Sequence, residues 1–309
     1  DPDAQTTEWL EQLGRAESVA RDNDLADVTG EIEALRAAHV ATLMRSGQTA
    51  LEQWDREAAR AAFERALAID SGNSEASQGL ETARRVRLPG WNFRDSPTTP
   101  ELVVVGAFAV ARRETTVAEF RRWWQAEGRA RYGAKMPTCR DRESVFRFGK
   151  RSWDAPGFAQ GDRHPVVCVT YAMAQEYVAW LGRESGERYR LPTAAEWRSF
   201  GTSAFVADCS ANVRDEAYRA EYGGRDGVAC SDGHAATAPG GSFAAAKPGL
   251  YDVAGNVREW VSDCAAANCK ERIALGAGWY SEADDPAAPG FDADTAYNTV
   301  GFRVLRELD

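Results

Sequence analysis

Between Gly249 and Trp260 the chain reads Gly-Leu-Tyr-Asp-Val-Ala-Gly-Asn-Val-Arg-Glu-Trp, a mixture that fits neither the period of a helix nor the alternation of a strand. Asp252 and Glu259 bracket a Gly-Asn turn, and Tyr251 and Trp260 put an aromatic at either end. Carboxylates together with backbone carbonyls that a glycine lets turn inward make an oxygen-only donor set, the kind calcium takes. The same residues would also serve a polar turn between two strands with the acids solvated, and chemistry alone leaves that simpler account standing.

Other stretches narrow the choice. The segment 249–260 resembles the GLYDMxGNVWEW signature of the formylglycine-generating-enzyme family, the sulfatase-modifying domain whose fold is a variant of the C-type lectin fold. In the same order as in that family, His164-Pro165-Val166 with Val169-Thr170-Tyr171 resembles HPVxxVSW, Arg190–Trp197 resembles RLPTEAEWE, and Gly301-Phe302-Arg303-Val304 resembles the closing GFRV. The resemblance runs from about Leu102 to Val304 and is silent on the first hundred residues. It implies an α+β domain of C-type-lectin-like sulfatase-modifying fold over 101–309; the residues before that domain are read from their own composition as a helical domain.

The resemblance also implies two structural calcium sites. Ala211-Asn212-Val213, Asp232-Gly233-His234, Thr237-Ala238-Pro239 and Gly241-Ser242-Phe243 are similar to further family loops. Carried over by position, one site would use the side chains of Asn212 and Asp232 with the carbonyls of Val213 and His234. The other would use the side chains of Asp252 and Glu259 with the carbonyls of Gly255 and Val257.

The family's oxidation chemistry is another matter. Its active members need two cysteines shortly after an RGGSW segment, where a thiolate pair binds copper, thiolates being soft ligands suited to Cu(I). Aligned on Trp279, those positions fall on Ser281 and Pro286. Proline offers no ligand atom, and a serine hydroxyl is a poor substitute for a thiolate. Relatives that use iron with a histidine triad are excluded too, since His39, His164 and His234 are the only histidines and show no HxxxH spacing. There is no GxSxG, Walker or GxGxxG motif. Asp284, Asp285, Asp292 and Asp294 form either an acidic loop site or a solvated loop.

The six cysteines, Cys139, Cys168, Cys209, Cys230, Cys264 and Cys269, are an even number with no CxxC metal spacing. Fifteen connectivities are open to six cysteines. Pairing Cys139 with Cys168, Cys209 with Cys230 and Cys264 with Cys269 closes three local excursions; six buried thiols of a cytosolic protein are the alternative. Disulfides imply an oxidising, exported location. Residue 1 is not methionine, which leads us to expect a removed signal peptide or a trimmed anchor, and no apolar run is long enough to cross a membrane.

A chain of 309 residues favours two domains. Residues 1–87 are dominated by Ala, Leu, Glu and Arg and read as helical. Trp9, Leu10 and Leu13 give one amphipathic pattern, and Val28, Ile32, Leu35 and Val40 a second. Gly47–Leu51 with Ala59, Phe63, Ala66, Leu67 and Ile69 resembles one tetratricopeptide repeat; Ala76, Leu80 and Ala83 hint at another. One repeat and a fragment cannot bury their faces alone, so the region either packs on a partner or is a spacer. Residues 1–85 also hold 17 acids against 9 bases, within a net charge of −10, which argues against nucleic acid as a partner.

Prolines at 89, 97 and 100 mark residues 88–100 as a linker. Beyond it, Leu102–Val105 reads as a strand continued by Phe108 and Val110. Thr116 with Glu119 makes a capping box for a helix buried through Phe120, Trp123 and Trp124 and ended by Gly128. Residues 129–163 read as a surface loop held by Cys139, Val166–Val169 as a short strand, and Ala174, Tyr177, Val178 and Leu181 as one helix face ending near Gly186. Thr193 with Glu196 makes a second capping box.

The reading that joins these signals is a non-catalytic, exported binding or sensing module that regulates through protein contacts. Its partner would be a periplasmic or membrane signalling component. Domains of this kind resemble regulators of type VI secretion in a threonine-phosphorylation pathway and receptor-kinase ectodomains. The alternatives are a formylglycine-generating-type oxidase with a relocated site, which needs free cysteines near Trp279, and a calcium-dependent lectin.

Overall fold

The computed structural model describes residues 2–53, 55–85, 89–140, 151–202, 206, 208–246, 248–281 and 290–308. The chain divides into two compact units, Asp1–Pro89 and Gly90–Asp309.

The first unit is made of α1 (Pro2–Asp22), α2 (Ala26–Glu52), α3 (Arg56–Ile69) and α4 (Ser74–Arg85). Its centre is Phe63, packed with Ala50, Ala59, Leu80 and Ala83. The ring is admitted because Gly47 on α2 and Gly79 on α4 lack side chains: a Cβ at either would stand 2.7 or 2.5 Å from it. The α2 face is narrower than its periodicity suggests. Ile32 and Val40 are buried, whereas Val28 and Leu35 are 37% and 56% exposed.

Part of the segment read as a linker is a strand. β1 (Asn92–Phe93) pairs antiparallel with β2 (Leu102–Val104) and so belongs to the second unit. An edge strand tolerates flanking prolines because its outer N–H groups need no partner. β2 pairs with β3 (Phe108–Ala111), β3 with β11 (Leu305–Glu307) and β11 with β5 (Tyr189–Arg190), in the order β1-β2-β3-β11-β5. A second sheet runs β10 (Val300–Gly301), β6 (Arg258–Cys264), β7 (Glu271–Leu275), β8 (Gly290–Asp292). Its β10–β6 pairing is parallel. β4 (Cys139–Arg140) and β9 (Ala296–Tyr297) form a short parallel ribbon.

Both capping boxes are formed: Thr116 opens α5 (Val117–Trp123) and Thr193 opens α8 (Ala194–Phe200), each with its glutamate returning to the cap backbone. Gly128 does not stop the first of these helices. The chain passes through a π-helical turn at Trp124–Gly128 into α6 (Arg129–Tyr132), and Gly128 is retained because a Cβ there would meet the Trp123 and Trp124 rings at 2.9 Å. α7 (Tyr171–Ser185) ends at Gly186, whose φ of 74° is a left-handed cap. The remaining helix is α9 (Glu216–Tyr222). Residues 166–169 are fully buried but make isolated bridges at Pro165 and Val169 instead of a strand. Here burial, not sheet pairing, is what their apolar run encodes.

The core of this unit gathers Phe120, Trp123, Tyr177 and Phe302 around the α5–α7 contact, with Trp260 and Trp279 toward the second sheet.

Candidate functional site

The loop 249–257 and the start of β6 descend into a charged cluster closed off from solvent. Asn256 and Glu259 are buried, as are Glu114 after β3 and Arg303 before β11. Arg303 Nη2 meets Glu259 Oε1 at 2.7 Å, and its Nε lies 3.0 and 3.2 Å from the two carboxylate oxygens. Trp197 Nε1 donates to Glu259 Oε2 at 2.7 Å. Arg303 also donates to the carbonyls of Ala111 and Tyr251, so one guanidinium ties the first sheet to the loop. On the other side, Glu114 accepts from Asn256 Nδ2 at 2.6 Å and from the Val257 N–H at 3.1 Å.

Three carboxyl groups thus share a single buried guanidinium. Burial, then the charges of Asp252 and Glu259, push the Glu114 carboxyl well above its ordinary range, against the pull of Arg303. Burial also raises Asp252. Burial works against the charge of Arg303, but Glu259, Glu114 and Asp252 outweigh it and hold the guanidinium charged. The loop backbone is strained to fit: Asp252 and Asn256 have φ of 60° and 72°, a left-handed region that side-chain-bearing residues enter at a cost of about 1 kcal/mol or more. Gly255 is needed because a Cβ there would stand 2.5 Å from the Asn212 carbonyl.

The expected calcium donors fare differently in the two sets. Asn212 is buried and donates from Nδ2 to the Ala236 carbonyl (2.9 Å) and to Asn256 Oδ1 (3.0 Å), which leaves its Oδ1 buried without a partner. Asp232 accepts from the His234 N–H through Oδ1 at 2.7 Å, and its Oδ2 is likewise buried and unpartnered. Burial raises the Asp232 carboxyl to about 7, with the charge of Asp215 adding to the rise. Buried polar oxygens without partners are costly, and an amide oxygen with a carboxylate oxygen is a donor pair a hard cation satisfies. Asn212 and Asp232 thus each keep one buried oxygen of the kind calcium takes.

The second set does not assemble as expected. Glu259 has its lone pairs occupied by Arg303 and Trp197, because a buried carboxylate binds the cation nearest to it and Arg303 is built into the core. Asp252 accepts from the Gly241 N–H through Oδ2 at 2.7 Å, and only its Oδ1 stands open. With Glu259 committed, the set of Asp252, Glu259, Gly255 and Val257 lacks one of its two carboxylates.

At the positions aligned with the family's cysteines, Ser281 is buried and its Oγ accepts the Gly278 N–H at 2.9 Å while its own N–H returns to the Gly278 carbonyl. Pro286, Asp284 and Asp285 lie outside the described residues. Trp279 is enclosed by Phe158, Tyr218, Tyr222 and Tyr280, with ring centroids 5.4–5.7 Å away. The cysteines pair as Cys139–Cys168, Cys209–Cys230 and Cys264–Cys269, with no free thiol among the described residues.

Glu114, Asp215 and Arg303 carry much of this architecture; Arg303 stands in the GFRV stretch, but the motif does not disclose its pairing with Glu259. A charged residue inside the apolar Gly301–Val304 stretch, and an aspartate directly before a helix at Asp215, are the signals that point to two of them.

The mixed fold, its loop cluster and its buried Glu259–Arg303 pair define a sulfatase-modifying-type domain of C-type-lectin-like architecture. Residues 55–308 match the sulfatase-modifying factor enzyme 1-like domain, and the chain belongs to that family. It is 31% identical over 215 residues to serine/threonine-protein kinase pkn1 of Chlamydia pneumoniae, covering 66% of this chain and 28% of the kinase. It is 30% identical over 225 residues to the formylglycine-generating enzyme of Mycobacterium tuberculosis, covering 57% of this chain and 73% of the enzyme. With the inactive C-alpha-formylglycine-generating enzyme 2 of Bos taurus it shares 30% over 155 residues, 45% of this chain and 49% of that protein. Among solved structures, PvdO from Pseudomonas aeruginosa covers 72% of this chain and all of its own at a TM-score of 0.55 and 24% identity, a likeness of fold. The family therefore holds members named as enzymes and a member named as inactive.

Proposed function

We propose that this chain is a non-catalytic, exported binding module that regulates through contacts with a protein partner. The observation that carries the reading is at Ser281: a buried hydroxyl held in a turn by the Gly278 N–H stands where a family enzyme carries a thiol. The relocated-oxidase alternative requires free cysteines beside Trp279, and the pairing of all six leaves none. Those disulfides also support an oxidising compartment. Among the described residues no helix is long and apolar enough to cross a membrane.

A partner in a signalling system, either a receptor kinase or a threonine-phosphorylation pathway such as that of type VI secretion, is supported by the similarity to a protein named as a serine/threonine kinase. The helical unit, with its tetratricopeptide-like packing around Phe63, is the part of the chain suited to such a contact. Calcium at Asn212, Val213, Asp232 and His234 would cross-link the loops, a structural role. The deciding experiment counts thiols in denatured, unreduced protein by alkylation and mass spectrometry, and measures oxygen uptake with copper and a cysteine-containing peptide. No free thiol and no uptake are expected. Copper-dependent oxygen consumption would sink the reading.

A further inference from the structure

Apart from the loops discussed above, the second unit carries a cleft of about 290 Å³ lined by Arg94, Glu101, Arg113, Glu114, Glu119 and Arg163. Each of its acids already accepts hydrogen bonds, and Glu119 Oε1 alone among their oxygens has no donor among the described residues. Glu101 is bound by Arg112 at 2.7 Å and by Arg113 at 3.4 Å. Glu119 Oε2 accepts both the N–H and the O–H of Thr116, each at 2.8 Å. Glu114 gives its two oxygens to Asn256 and Val257.

The arginines are less committed. Arg94 donates Nη1 to the Thr99 carbonyl. Arg163 makes no side-chain hydrogen bond or ion pair among the described residues, and it is exposed. Arg113 is held in place without being used up: its guanidinium lies 4.9 Å from the Tyr251 ring centre. Its stem rests on Gly240 and Gly241, where a Cβ would stand 3.2 Å from Cδ and 2.9 Å from Nε. Guanidinium groups remain charged at any physiological pH, and their planar forks match oxyanions. Arg113 is thus held in place by Tyr251 and the two glycines, and Arg163 brings uncommitted N–H donors to the same cleft.

The geometry points to a binding site for a small oxyanion, a phosphoryl or carboxylate group, held by the guanidinium groups of Arg94, Arg113 and Arg163. It uses none of the residues at the family's cysteine positions and does not rest on the regulatory reading above.

Isothermal titration of the full chain with inorganic phosphate, and separately with acetate, at low ionic strength in a buffer free of both tests it. One ion or both should bind saturably, one per chain, and the stronger identifies the group recognised. Arg113→Gln and Arg163→Gln should each weaken binding about tenfold, the loss expected for one charge-assisted hydrogen bond. Arg183→Gln, which removes an equal charge from the exposed pair with Glu127, should leave it unchanged. If Arg113→Gln fails to fold, Arg163→Gln still decides, because its exposed side chain supports nothing else. No saturable binding, or equal weakening by all three substitutions, overturns the site.

Discussion

Removing the Arg303 guanidinium would strand Glu259 among Glu114 and Asp252 with no water to solvate it. Deleting one partner of a fully buried pair costs roughly 3–5 kcal/mol, and here the partner also loses its links to the Ala111 and Tyr251 carbonyls. Arg303→Met is therefore expected to lower the urea midpoint severely, and Arg303→Lys to rescue it only in part, since an ammonium cannot reproduce a planar fork. Arg183→Gln at the exposed pair should shift it by less than about 1 kcal/mol. At the Asn212–Asp232 set, added calcium should raise the melting temperature of the wild type through binding to the folded state. Asn212→Ala and Asp232→Ala should abolish that rise; an equal rise in both variants would show that calcium binds elsewhere.

Helix α8 combines a local cap with a longer-range clamp. Glu196 closes the Thr193 capping box and takes Arg190 in a bidentate pair at 2.7 and 2.6 Å. The hydrogen bond from Arg190, aided by Thr193 and opposed by burial, holds the Glu196 carboxyl down at about 2. Its folded value lies below the ordinary 4.5, so the stability it contributes is present above that value and is lost as pH falls toward about 2. Glu196→Gln should flatten the acid limb of a stability-against-pH curve and cost about 1–2 kcal/mol at neutral pH, a figure discounted for the partial exposure of the pair. Such local devices are legible in a sequence: Thr116, Thr193 and Gly186 act within a turn of their own position. Gly128 shows the limit. A glycine can end a helix or make room for a ring, and only the position of Trp123 and Trp124 distinguishes the two. Likewise, the apolar run at 166–169 reports burial and says nothing of which backbone bonds are made.

Across the whole molecule, what the sequence hides is separation. Glu114 finds its partners 142 and 143 residues away, and Glu259 meets Arg303 across 44, so the donor set carried over by position from the family includes a glutamate whose arginine partner no loop motif reveals. The boundary near residue 89 was marked by its prolines, but they could not show that Asn92–Phe93 would extend the sheet. The cysteines all lie in the second unit. Opening the Cys139–Cys168 bridge, which spans 29 residues, is expected to cost about 3–4 kcal/mol in the chain-entropy picture. Reductant should thus lower the melting transition of the second unit, measured by tryptophan fluorescence, and leave the helical signal of residues 2–85 in place; unchanged fluorescence melting would contradict the structural role given to the bridges.

The order β1-β2-β3-β11-β5 has a consequence in time. The strand that joins β3 to β5 is Leu305–Glu307, so an interior strand of the sheet is the last part of the unit to be delivered by the ribosome. Until residue 307 arrives, β3 and β5 have no strand between them. Removing those three residues should leave a chain that is synthesised but whose second unit never folds, seen as loss of its cooperative melting transition.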